Sequence, residues 1–331
     1  MARAKRVLEQ GPHVTAAVTT ASQDRATQLN VISRVQRSLW KDAWYRLRRN
    51  KAAMAGLGII IAAMVMALFA PLIAPYDPVQ QDSARALAEP FFGVEQYRDP
   101  KYILGSDQLG RDILSRLIHS ARVSMLIGFV PVALIFLIGV SVGMIAGYFG
   151  GWIDNALMRL TDVIYAFPDL LFLLIIFATL RDSPLGNVMG GLVLMFVAIA
   201  IVNWVGMARL VRGQVLSLKE KEFVEAARAV GARPGRIMLR HLFPNALAPV
   251  IVSVAFGIPS AILAEATLSF IGIGIKPPTP TWGVMINEGF AVFSTTQWPV
   301  LLPAFCISIV MLAFTFLGDG LRDALDPRMR L

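Results

Sequence analysis

The chain of 331 residues is 56% hydrophobic and 16% charged, with a mean hydropathy of +0.61, which excludes an ordinary soluble domain and points to a chain of membrane spans. A net charge of +9 would suit nucleic acid only if Lys and Arg formed a solvated patch, and here they flank apolar runs, as cations that set membrane topology do. The single cysteine, Cys306, excludes a disulfide within the chain and a cysteine metal site.

Residues 1 to about 30 lack helical or strand periodicity, and residues 1–35 read as a mobile cytosolic tail. Met1 to Arg6 is basic, but no apolar core follows, so the first apolar run is expected to be a retained span rather than a cleaved signal. Val31, Val35, Leu39, Ala43 and Leu47 recur every fourth position, and over 36–51 Trp40 and Trp44 stand beside them with six cations among the rest. This predicts an amphipathic helix on the inner leaflet, a soluble packing helix being the alternative.

From residue 52 to 318 the sequence predicts six spans. Ala52 to Pro75 carries no charge and, at about 1.5 Å per residue, can cross a hydrocarbon core of about 30 Å; Pro75 and Pro78 end it. Ser106 to Arg122 reads as an amphipathic outer helix whose charges, Asp107, Arg111, Asp112 and Arg116, lie largely off its apolar face. Val123 to Phe149 is span two, and Gly139, Gly143 and Gly147 form a ridge that suits close approach by another helix, chance glycines being the alternative. Span three has only eleven uncharged residues, Leu170 to Leu180, so its helix is expected to start near 156–161, with Asp162 at the boundary and Asp169 at or inside it. An ionisable group at that depth is a candidate for the solute pathway, unless it pairs with Arg159 or snorkels to water. Leu185 to Ala208 is span four, with Trp204 expected as an interfacial anchor. Span five, about 246–275, carries Glu265, a second pathway candidate or else a buried pairing group. Trp282 and Trp298 are expected at the interface, span six falls within 292–318, and 319–331 reads as a charged cytosolic tail.

Between spans four and five the stretch 217–245 is charged and helix-forming where a short turn would suffice. Ser217 and Glu220 fit a capping box, Phe223, Ala226, Ala227 and Val230 share a face, Gly231 suits a left-handed helix end, and Pro234 suits the first turn of a second helix. Two short helices with a small alanine face can enter a groove on another protein. Counting cations on each side, 23 of 31 fall with both termini and this loop, which places all three in the cytosol. There is no Gly-x-x-x-x-Gly-Lys-Ser/Thr, so ATP-driven work would fall to a partner. There is no His-Glu-x-x-His, and Asp319 begins the expected tail without a second buried aspartate, so an intramembrane protease does not fit.

Glu225, Ala226, Ala227, Gly231 and Pro244 resemble the EAA loop of permease subunits in binding-protein-dependent ABC importers. Further blocks, Leu104 to Asp112, Gly147 to Gly151, Met158 to Asp162, Pro277 to Gly283 and Gly318 to Pro327, resemble the dipeptide/oligopeptide/nickel subfamily, specifically its C-type subunit; His241 and Phe243 depart from the general pattern. The resemblance implies an all-α membrane protein of six transmembrane helices with the type I importer permease fold, located in the inner membrane. It also implies a second, homologous permease as partner, two cytosolic ATPases that bind the ATP and Mg2+, and an external solute-binding protein, with no cofactor or metal on this chain. Glu225, Ala226, Ala227 and Gly231 would form the coupling helix seated in an ATPase groove. A di- or oligopeptide solute, nickel or another solute of the same family, and a passive channel remain as alternatives at this point.

Overall fold

The structure, a computed structural model, describes residues 39–326; the expected tail of residues 1–35, the start of the 36–51 helix and residues 327–331 lie outside them. The chain falls into two units, Met1–Trp44 and Tyr45–Leu331. Helix α1 (Leu39–Arg49) begins in the first and ends in the second, with Asp42 in its first turn and Arg46, Arg48 and Arg49 in its last, as the helix dipole favours.

Asn50 then starts α2 (Lys51–Leu68), its side-chain oxygen accepting from the Ala53 N–H at 3.1 Å. After a break at Phe69 a short α3 (Ala70–Ile73) follows, and Ala74 turns extended because it precedes Pro75. The outer loop leads to α4 (Ile113–Phe149), 37 residues long and capped by Asp112, which accepts from the Ser115 N–H at 2.8 Å. The separate helix expected from Ser106 therefore begins at Ile113 and is continuous with span two.

Span three is not one straight helix. Its halves, α5 (Gly151–Tyr165) and α6 (Asp169–Leu180), meet at 81°, because Pro168 lacks an N–H and biases Phe167 away from helix. A short α7 (Pro184–Asn187) and left-handed residues Met189, Gly190 and Gly191 precede α8 (Leu192–Leu218). Then come α9 (Glu222–Ala229), α10 (Pro234–Ile237), a π-helical turn (Met238–Leu242), α11 (Phe243–Phe270), α12 (Trp282–Phe290) and α13 (Trp298–Leu325). Among the described residues every regular element is helical, and five helical stretches are long and apolar enough to span a membrane, six with the bent pair counted as one.

The glycine ridge of α4 packs directly on α8. A Cβ added at Gly139 would stand 2.6 Å from Met207 Cβ, one at Gly143 would stand 2.5 Å from the Ala208 carbonyl oxygen, and one at Gly147 would stand 2.8 Å from Val215 Cβ. Only residues without a side chain permit this approach, in which dispersion contacts take the place of a hydrophobic driving force. The same packing corrects the expectation for Trp204, which is buried midway along α8 rather than anchored at an interface. Trp282 is likewise buried, its indole N–H donating to the Leu117 carbonyl at 3.3 Å, and Trp298 donates to Glu89 at 2.7 Å. Asp319 does not start a tail, since α13 carries on through it to Leu325.

Candidate coupling loop and solute groove

The loop between α8 and α11 is held from inside by a few apolar residues. Helix α8 runs through Ser217 to Leu218, so the expected capping box does not form; Lys221 stands at the start of α9 without a side-chain cap. Glu222 and Glu225 in the first turn and Arg228 in the last complement the dipole instead. Val224 and Ala227 are buried and join the same apolar cluster as Met144, Val215, Ile237 and Leu242. The inward face is thus Val224 and Ala227, not the expected Phe223, Ala226, Ala227 and Val230. Glu225, Ala226 and Ala229 are exposed, and Val230 is 84% exposed.

Gly231 closes α9 at φ +79°. Its N–H donates to the Arg228 carbonyl at 2.9 Å and the Ala232 N–H to the Ala227 carbonyl at 3.0 Å, the two bonds of a Schellman ending. Pro234 then opens α10 at its first turn, and Pro244 sits, exposed, in the first turn of α11. Among the described residues none of the charged side chains from Lys219 to Arg240 forms an ion pair; Arg228 lies over the Tyr148 ring at 5.9 Å.

The two pathway candidates differ in their surroundings. Glu265 is sealed in the core: its Oε1 accepts from Ser269 Oγ and Thr281 Oγ1, each at 2.7 Å, and its Oε2 has no partner. It ties α11 to the start of α12 and reaches no open surface. Asp169 is exposed in the first turn of α6, and Asp162 pairs with Arg209 at 2.8 Å rather than with Arg159.

Open space lies elsewhere, between α8 and α11. A cavity of about 290 Å³ includes Asn203, Gly257 and Ser260, and a neighbouring one of about 670 Å³ ends at Arg322 and Asp326; Gly206, Ser253 and Phe256 line both. Asn203, exposed and mid-span, donates its amide N–H to the Ile199 carbonyl at 2.9 Å, which leaves its oxygen as an acceptor. A polar side chain exposed at that depth belongs to a water-filled path or a protein interface, not to lipid. The Asn203 and serine signal is legible in the sequence as polar residues inside apolar runs, yet a charge-based search passes over it.

On the opposite end of the spans, sequence reading missed a buried charge cluster. Asp107 Oδ2 accepts from Arg111 Nε at 2.6 Å and from Arg116, and Glu288 Oε2 accepts from Arg111 and Arg116, each at 2.7 Å. Both arginines are about 95% or more buried. The expected solvent-facing charges are therefore an internal clamp between the outer loop, α4 and α12. At the loop's rim the Arg85 guanidinium, followed by the Lys101 ammonium, holds the Asp82 carboxyl below the usual carboxylate range. Asp154 and Arg212 make a paired bond at 2.6 and 2.7 Å that fixes α5 to α8.

Apolar spans, an intramembrane groove and a charged loop held at one face define a multi-pass membrane permease. The chain belongs to the family described as binding-protein-dependent transport system inner membrane component, whose signature matches residues 139–331, and residues 38–90 match the N-terminal transmembrane domain of oligopeptide transport permease C. It is 40% identical to the dipeptide transport system permease protein DppC of Bacillus subtilis, over 93% of this chain and 92% of that protein. It is also 40% identical, over 90% and 93%, to the oligopeptide transport system permease protein OppC of the same organism. An inward-facing structure of the MetNI methionine ABC transporter overlays 64% of this chain and 96% of its own at 18% identity, with a TM-score of 0.49.

Proposed function

We propose that the chain is one half of the membrane passage of an ATP-binding-cassette importer that moves di- or oligopeptides inward, with a second permease, two cytosolic ATPases and an external solute-binding protein completing the assembly. Both termini and the 217–245 loop lie in the cytosol in this reading, supported by the cation count. ATP and Mg2+ sit on the ATPases, and this chain holds no nucleotide.

The observation that carries the reading is the two-sidedness of α9. Val224 and Ala227 lock it into the chain's own core, while Glu225, Ala226 and Val230 are left for a partner. A push on α9 passes to α8 through the 219–221 turn and to α11 through the Gly231 joint, α10 and the π-helical turn. Those two helices form most of the groove wall, with α4 and α13 completing it. Their displacement changes its width, a rigid-body form of alternating access. The relatives named for dipeptides and oligopeptides support a peptide solute, and so do the groove's uncharged hydrogen-bonding groups, Asn203, Ser253 and Ser260, which suit peptide N–H and C=O groups whatever the side chains.

The test is peptide uptake into liposomes by the chain reconstituted with the ATPases and second permease encoded beside it. Ala226→Trp puts bulk on the outer face of α9 only. It is expected to reduce uptake and substrate-stimulated ATP hydrolysis at least about tenfold while shifting chain stability by no more than about 0.5 kcal/mol, the usual range for a surface change. Normal uptake by this variant would sink the proposal.

A further inference from the structure

Among the described residues, Arg122 is the cation that the outer assembly leaves over. Arg111 and Arg116 share Asp107 and Glu288, Arg85 has Asp82 and Asp99, Lys101 has Asp82, and Arg98 donates to the Gly93 carbonyl at 2.6 Å. Arg122 is exposed, and its side chain has no hydrogen bond or ion pair with any described residue. It stands at one end of a cavity of about 610 Å³ between α2 and α4 whose other lining residues are all apolar. Ala67 and Met125, both buried, form the floor, and Met64, Leu68 and Phe129 the exposed walls. Ala67 offers only a methyl group at the floor, so its side chain leaves the groove unfilled.

The two helices run in opposite directions, so Leu68, at the end of α2, lies level with Arg122, and Phe129 lies about 10 Å deeper along α4, at about 1.5 Å per residue. A cation at the rim and a purely apolar trough running toward the membrane centre match a molecule with an anionic head and a hydrocarbon tail. A guanidinium near hydrocarbon is expensive without a counter-charge, and its planar donor fork pairs well with phosphate oxygens. An apolar partner helix laid in the same trough would leave Arg122 as unpaired as before.

We propose that this groove binds a glycerophospholipid from the leaflet on the Arg122 side, the phosphate accepting from the Arg122 guanidinium and one acyl chain lying between α2 and α4 over Ala67.

The full chain, purified in mild detergent and mixed with phosphatidylglycerol, tests this by native mass spectrometry. One phosphatidylglycerol per chain is expected to survive delipidation. Arg122→Gln should weaken its retention about tenfold, the scale of one charge-assisted hydrogen bond, and Arg122→Lys should recover part of it. Ala67→Phe fills the floor and should abolish retention with Arg122 intact; Met64→Trp, at an exposed wall position, narrows the groove without disturbing the core and should weaken it too. Equal retention by wild type and Arg122→Gln would overturn the headgroup contact, and equal retention by Met64→Trp would overturn the acyl groove. Excess inorganic phosphate should not displace the lipid; displacement would reassign the site to a free anion. In membranes, a cysteine placed at Met64 that cross-links efficiently to the second permease would make the occupant a protein helix and overturn the proposal.

Discussion

Two charged regions bracket the spans, and they handle charge in opposite ways. Around Arg111 and Arg116 the charges are buried and consumed by one another, with Asp107 and Glu288 each taking both arginines. From Glu220 to Arg240 the charges are exposed, Lys219 before them is half-buried, and none forms an ion pair within the described residues. Buried ions that satisfy each other hold elements of one chain in register, whereas exposed ions on a helix anchored by two apolar residues remain available to another protein. Charge density in the sequence is similar in both places; the difference lies in what the fold brings opposite it.

The sharpest way to break this contrast is Arg116→Met. Removing one member of a buried network leaves Asp107 and Glu288 with a single cation between them, and loss of a buried partner costs about 3 kcal/mol or more. Chemical unfolding in detergent should register that loss. A change under about 1 kcal/mol would mean that the cluster is better solvated than its burial implies, and the contrast between the two regions would fall.

A smaller effect is expected at the loop's joint. Gly231 has φ +79° and open space around its Cα, so Gly231→Ala meets no neighbour and costs only the left-handed backbone strain, about 1 kcal/mol. Because the loop is held by few contacts, that strain should appear locally, as faster amide exchange in α9 and α10 with α4 unchanged. Faster exchange throughout α4 would show instead that the loop and the spans unfold as one unit.

The spans were legible because apolar runs of sufficient length admit few other readings, and the ridge of Gly139, Gly143 and Gly147 was legible because spacing by four puts small residues on one helix face. Gly231 and Pro234 were legible because their backbone preferences are local. What failed was everything set by distant partners. The Ser217 cap was lost because α8, packed on the α4 ridge, continues past it. The inner face of α9 was misassigned because the stretch from Phe223 to Val230 is apolar enough to offer two faces, and only the core behind it selects Val224 and Ala227. The role of Arg116 depends on Glu288, far along the chain, which no local pattern announces. Glu265 and Asp169 stand out in the sequence by their charge, whereas the polar residues lining the groove, Asn203, Ser253 and Ser260, are uncharged and less conspicuous.

The smallest effect separates the rim of the outer region from its buried centre. The Arg85 and Lys101 contacts lower the Asp82 pKa, so their stabilising contribution is full above the ordinary aspartate value of about 3.9 and disappears as pH falls through the lower, folded one. Hydrogen exchange across 82–86 should therefore be steady from neutral pH down to about pH 4 and, after correction for intrinsic rates, rise below it, with Asp82→Asn losing this dependence. The rim pairs are accessible to water, so raising salt should weaken them, whereas the Arg116 cluster should be indifferent to the same change. If salt loosened both equally, the outer charges would not form a buried clamp with a solvated rim, and the distinction between charges that hold this chain together and charges left for others would have to be redrawn.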